Sequence, residues 1–223
     1  MNILKRYALL GLALLWAAGA WSSENGRDSN QGAYVTGLQG LVQQIGEDGK
    51  EWPLEALTRL PAGARLKISP GGQLQLVYLK GGRQEFWQGK AVLSVGPAAS
   101  QAMTYQTAPR VKPLPAYLVQ ALTASPVFGP LSEAPRHAMV RVRSLGSGER
   151  SSQATLKYEA LRADAEDQDI LPELYLLSEL EASRAYDAMP AVLDDILARQ
   201  GGDIVIQEWV RQYRQRIPGL AER

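Results

Sequence analysis

Gln73-Leu74-Gln75-Leu76-Val77-Tyr78-Leu79-Lys80, set between Gly71-Gly72 and Gly81-Gly82, decides how this chain folds. In a strand, Leu74, Leu76 and Tyr78 share one face, and Val77 and Leu79 the other. The strand starts with one apolar face and ends with two, so its second half is expected to be buried on both sides. The paired glycines on either side are turns. Upstream, Tyr34 to Ile45 alternates loosely around Gly37 and Gly40, and a glycine inside a strand marks a bulge or a close backbone approach. Glu47-Asp48-Gly49-Lys50 is a tight reversal. Trp52-Pro53-Leu54, the turn Leu60-Pro61-Ala62-Gly63 and the short run Ala64 to Ile68 follow. Downstream, Arg83 to Gln88 and Ala91 to Val95 complete a meander. Short apolar runs between Gly, Pro and Asp turns define a small all-β unit over residues 33–96.

Beyond it the composition changes. Pro97, Pro109, Pro113, Pro115, Pro126, Pro130 and Pro135 crowd the next stretch, and proline at this density disfavours regular helix or central strand. Residues 97–150 therefore read as a linker with edge strands packed along the β unit. Met103 to Thr107 is one such strand, and Ala138 to Arg143 another, with Arg141 and Arg143 facing water. Leu114 to Leu122 is long enough for one or two helical turns, with Pro115 near the start. From 151 to 223 the period is helical. Ser151 to Ala165 fits a helix or a strand. Asp169-Ile170-Leu171-Pro172-Glu173 is a helix start, and Leu174, Leu176, Leu177 and Leu180 give that helix a broad apolar face. Met189-Pro190 interrupts, and Val192, Leu193, Ile196 and Leu197 resume the pattern. After Gln200-Gly201-Gly202, Asp203 is placed to cap a last helix, with Val205, Trp209 and Tyr213 on one face and Val210 beside them. The fold class is α+β: a small all-β domain followed by a C-terminal helical hairpin or bundle.

The start of the chain reads as an address. Lys5 and Arg6 precede the apolar run Tyr7 to Ala17, and Ala18-Gly19-Ala20 is a small-residue cleavage site. The apolar run is short of the about 20 residues a spanning helix needs. Residues 1–20 are thus expected to be a signal peptide, residues 21–32 a flexible polar leader, and the mature protein periplasmic, with no membrane span once the signal is removed. The formal net charge is +1, and losing Lys5 and Arg6 makes it +1 − 2 = −1. Neither value gives an electrostatic grip on nucleic acid.

"L-P-A-G-A-R-L" at 60–66, "G-G-Q-L-Q-L-V-Y-L-K-G-G" at 71–82 and "A-V-L-S-V-G" at 91–96, in that order after a glycine-rich first strand, resemble the FecR domain. The resemblance implies a compact β fold located outside the inner membrane of Gram-negative bacteria. Some members of that family are envelope sensors with a long cytoplasmic segment before a transmembrane helix. Here only Met1 to Arg6 precedes the apolar run, which favours the family's other use, as an exported binding or structural module.

No catalytic constellation stands out. The chain has no cysteine, which excludes disulfides, thiolate metal sites and cysteine nucleophiles. His137 is the lone histidine, and no nucleophile signature accompanies it. Gly146-Ser147-Gly148 lacks the spacing of a nucleophile elbow. The acidic run Ala163 to Asp169 lacks the glycine and terminal glutamate of a calcium loop, and reads as a solvated turn between helices. Arg211, Arg214 and Arg216 beside Trp209 and Tyr213 fit a packed helix with its basic end on the dipole, or a membrane-surface helix. No metal or cofactor is expected. The residues singled out as a ligand or partner surface are Trp52, Phe86 and Trp87, an aromatic platform for a glycan or an envelope protein; as neighbours in a strand, Phe86 and Trp87 must point to opposite faces. The expected function is a non-enzymatic periplasmic binding or structural module. The alternatives are a carboxylate-dependent hydrolase of envelope polymer and a membrane-anchored envelope-sensing regulator.

Overall fold

The computed structural model describes residues 31–125, 127 and 147–217. The expected signal peptide, most of the leader, His137, and the strand with Arg141 and Arg143 lie outside the described residues. Ten strands are described: β1 (Gln31–Gln39), β2 (Val42–Ile45), β3 (Glu51–Pro53), β4 (Arg59–Pro61), β5 (Arg65–Ile68), β6 (Gln73–Tyr78), β7 (Arg83–Gln88), β8 (Ala91–Val95), β9 (Ser100–Tyr105) and β10 (Arg110–Pro113). Five helices follow: α1 (Ala116–Ala124), α2 (Ser147–Ala163), α3 (Leu171–Ser183), α4 (Met189–Gln200) and α5 (Ile204–Arg216). The fold is α+β.

The strands form two antiparallel five-stranded sheets, ordered β10-β7-β6-β1-β4 and β3-β2-β5-β8-β9. The first is called here the central sheet, because both of its faces are packed. Leu74, Leu76 and Tyr78 of β6 join Val35, Leu66, Ile68, Trp87, Leu93 and Val95 in a core between the sheets. Val77 points the other way, into a second core built with Leu118, Leu174, Leu177, Leu193 and Trp209 of the helices. The order of layers is sheet, sheet, helices, as the two-faced second half of β6 requires.

Local sequence explains the joints. Tyr34 to Ile45 divides into β1 and β2, which belong to different sheets. Gly40, with φ +66°, makes the corner between them, a conformation that costs glycine little. Gly37 sits where the β1–β6 register shifts, so the glycine inside the strand does mark a bulge. The first strand begins at Gln31, inside the expected leader: a Cβ on Gly32 would come within 2.6 Å of the Leu60 carbonyl oxygen, so only glycine fits this approach. The β structure also extends past Gly96, since β9 and β10 add an edge to each sheet.

In the helical part, α2 makes Ser151 to Ala163 helix, leaving Asp164 and Ala165 in the turn that follows. Pro172 and Pro190 each lie in the first turn of a helix, where a missing N–H costs nothing. Asp203 Oδ1 accepts the N–H groups of Val205 (2.8 Å) and Ile206 (3.4 Å) and caps α5 as its sequence indicates. Two readings need correction. On α5 the buried residues are Ile206, Trp209, Val210 and Tyr213, whereas Val205 is partly exposed. And α3 is buried on nearly every side from Leu171 to Ser178, because it lies between α1, α2 and α4. Among the described residues, no helix is long and apolar enough to cross a membrane.

Candidate functional site

The outer face of the central sheet, which carries the helices, is laid out in rows by the strand register. The first row is Lys112, Gln84, Val77, Tyr34 and Arg59, and the second is Arg110, Phe86, Gln75 and Gly37. The third is Gln88, Gln73 and Gln39. The helices cover the middle of the first row: Val77 is fully buried, and Gln84 donates to the buried Asp169 Oδ2 at 3.0 Å. The third row is exposed.

The acidic run supplies the wall between the covered and open rows. It is the turn between α2 and α3, with Asp164, Glu166, Asp167 and Gln168 exposed as expected, but Asp169 is buried and the turn's carbonyls are held by side chains from neighbouring elements. Arg162 Nη1 donates to the Asp169 carbonyl at 2.5 Å, and Arg199 Nη1 to the Asp167 carbonyl at 2.9 Å. Gln200 Nε2 donates to the Gln168 carbonyl at 2.5 Å and across to the Thr36 carbonyl of β1 at 3.3 Å. Lys112 bonds Asp164 and Arg110 bonds Glu166, and Lys112 holds the Asp164 carboxyl below its ordinary value. Behind the wall lies Glu173, fully buried, receiving Arg162 Nη1 at 3.2 Å, Arg199 Nε at 2.9 Å and the Tyr158 hydroxyl at 3.3 Å. Burial pushes the Asp169 carboxyl up, against the opposing effects of the Leu171 N–H, Gln84, Arg162 and Lys112.

The result is an open groove of about 680 Å³ between the glutamine rows and the α4–α5 turn. Gln39, Gln73 and Gln75 line its floor, and Gln168, Arg199, Gln200 and Asp203 its wall. Its ionic groups are already engaged: Arg199 by Glu173 and Asp167, and Asp203 by the α5 N-terminus. Gly37 lets the amides meet, since a Cβ there would stand 3.0 Å from Gln200 Nε2 and 3.1 Å from Gln75 Oε1. Gln75 Oε1 is buried and has no hydrogen-bond partner. Among the described residues, no group of acidic or histidine side chains is placed to hold a metal ion.

The three aromatics singled out in the sequence are not assembled into a platform. Trp87 points inward, 3% exposed, with its indole N–H donated to Glu85 Oε2 at 3.0 Å. It is part of the core. Trp52 lies on β3, at the edge of the other sheet, 43% exposed; its ring covers Gly46, where a Cβ would come within 2.7 Å of it. Phe86 is opposite Trp87 in direction, half-buried, with the Arg110 guanidinium 4.3 Å from its ring centre. It pairs with Gln75 in the second row but does not line the groove. The glutamines were missed, although the alternation of Gln73 and Gln75 with Leu74 and Leu76 placed them on one face. At the C-terminal end, Trp209 and Tyr213 are buried, and Arg211 and Arg214 pair with Glu208 and Asp194. The packed-helix arrangement is the one present. No protein-family model matches this chain, no characterised protein matches its sequence, and no solved structure matches its fold.

Proposed function

We propose that this protein is an exported, non-catalytic binding module of the cell envelope, and that its glutamine groove takes an uncharged glycan segment. The observation that carries this is the lining: five glutamine side chains, with Arg199 and Asp203 both held in structural contacts. A primary amide donates and accepts at once, as do the hydroxyl and acetamido groups of a sugar. Gln75 Oε1 adds an amide acceptor at the floor that has no partner within the protein. The FecR resemblance and the signal-like first segment support the envelope setting. A hydrolase of envelope polymer needs two facing carboxylates, and among the described residues Asp203 is the only carboxylate lining this groove.

The test is calorimetric titration with soluble N-acetylated oligosaccharides of envelope glycan. Saturable binding is expected, weakened at least about tenfold, or about 1.4 kcal/mol, in Gln73→Leu/Gln75→Leu. No heat at millimolar ligand, or equal affinity in the double variant, overturns the reading. Shortening of the glycan during incubation would return the hydrolase reading to first place.

A further inference from the structure

The third row of the outer face is wider than the groove. Register sets Gln39 of β1 opposite Gln73 of β6, and Gln73 opposite Gln88 of β7. All three are exposed. Gln39 and Gln73 line the groove, and Gln88 lies one strand beyond it. The three amides differ in what they already hold. Gln39 Nε2 donates to Gln168 Oε1, so the row is engaged at its β1 end. Among the described residues, neither Gln73 nor Gln88 has a side-chain hydrogen bond. In a glutamine ladder that serves a sheet the amides bond one another, and these two, although directly opposite, do not. The other outer residues of β7 are taken: Gln84 is bonded to Asp169, and Phe86 carries the Arg110 guanidinium 4.3 Å from its ring centre. Gln88 is the open side chain of β7 beside the groove.

We infer that the groove takes an extended, unbranched β-linked glycan of at least three sugars, laid across the strands along the third row, with one sugar to each of Gln39, Gln73 and Gln88. This rests on the glycan reading and specifies its ligand. Spacing sets the direction of the chain. Adjacent strands stand about 4.8 Å apart, so the three amides repeat at close to the advance of one pyranose ring in an extended chain. Along a single strand, side chains of one face recur only every second residue, at about 7 Å, too far apart for successive rings. A chain laid along β6 would also run past Gln75 to Val77, which the helices bury. The row sets the linkage. Equatorial bonds on both sides of each ring draw a chain out into a ribbon, whereas α-linked chains coil and leave a straight row after the first rings. Each amide donates and accepts, and so meets the hydroxyl or acetamido groups of the ring above it. Gln88, outside the groove, is the residue that reads chain length.

The test is calorimetric titration of the full chain with β-linked N-acetylglucosamine oligomers of two, three and four sugars, and with α-linked N-acetylgalactosamine oligomers of the same lengths. Affinity for the β-linked series should rise at least about fivefold from two sugars to three, the worth of about one hydrogen bond. Gln88→Ala should remove that rise and leave disaccharide binding as it was. Gln101→Ala, at an exposed glutamine of β9 on the other sheet, should change nothing, and unchanged thermal melts show that both variants fold. The α-linked series should gain nothing from the third sugar. Affinity that does not rise with length overturns the inference. So does an equal loss for two and three sugars in Gln88→Ala, no loss at any length, or an α-linked series that rises as steeply. In each of these cases the groove still binds glycan, and the broader reading stands. Absence of heat with every oligomer overturns both.

Discussion

The two faces of the central sheet are made by the same strands and are stabilised differently. The inner face is apolar and closed. Along β6 it presents Leu74, Leu76 and Tyr78, each at most 1% exposed, and its main polar intrusion is Glu85, satisfied by Trp87, Ser100 and Arg83. The outer face changes character from one row to the next. It is apolar under the helices at Val77, and amide-lined where the helices end. The helices are held at that boundary by charged and amide side chains reaching from the acidic run to the sheet. The contrast separates two jobs. One face supplies burial; the other uses burial only as far as it needs to fix the helices, and leaves the remainder open to a ligand.

The largest effect should come from breaking the polar boundary. Glu173→Ala leaves Arg162 and Arg199 facing a buried site without a counter-charge, and removing one member of a buried ion network costs about 3–5 kcal/mol. A drop of this size in the urea unfolding free energy is expected, with the midpoint falling and the slope unchanged. A loss under about 1 kcal/mol would mean that the helices are held by their apolar contacts alone. On the inner face, Leu76→Ala should cost about 3 kcal/mol, through lost transfer energy and the cavity left behind. If Leu76→Ala proves milder than Val77→Ala, the sandwich core is not the better packed of the two.

Asp169 sharpens the comparison through pH. Its folded carboxyl is pushed up by burial, so it binds its proton more tightly folded than unfolded. Its contribution is therefore fully present below the ordinary aspartate value of about 3.9 and is lost as pH rises through the raised folded value. Asp169→Asn removes that loss. Measured by urea unfolding from acid to neutral pH, the variant should gain on the natural protein as pH rises. A difference that stays flat, or that shifts toward the natural protein, would show that Arg162, Lys112 and Gln84 outweigh the burial. Asp203→Ala acts more locally. It frees the Val205 and Ile206 N–H groups and should cost about 1 kcal/mol, read as a small fall in melting temperature.

The inner face was legible in the sequence because strand alternation has a period of two, and Leu74, Leu76 and Tyr78 state it directly. The turn glycines and the Asp203 cap were legible for the same reason: each depends on neighbours a few residues away. The groove was not. Gln73 and Gln75 were on the page, but the row partners of Gln73, Gln88 and Gln39, follow only from register, and β1 carries a bulge at Gly37 that shifts it. Gln200 reaches Thr36 across 164 positions of sequence. That the acidic run is a solvated turn was legible; that Arg110, Lys112, Arg162 and Arg199 hold it from β10, α2 and α4, and that Asp169 is buried, was not. Trp87 was the near miss: Glu85, two residues back and on the same face, already offered its indole a partner.

The smallest stability effect is expected in the third row, and it separates the two faces most cleanly. Gln73→Ala alters an exposed side chain on the outer face, one residue from Leu74, which is buried on the inner face. Substitutions at exposed positions away from caps and networks stay within about 0.5 kcal/mol, so its unfolding curve should overlay that of the natural protein. If the outer rows exist for a ligand, the same substitution weakens glycan binding while leaving stability alone. If it lowers stability by more than about 1 kcal/mol, the glutamine row is an ordinary structural ladder, and the open half of the sheet has no claim to be a site.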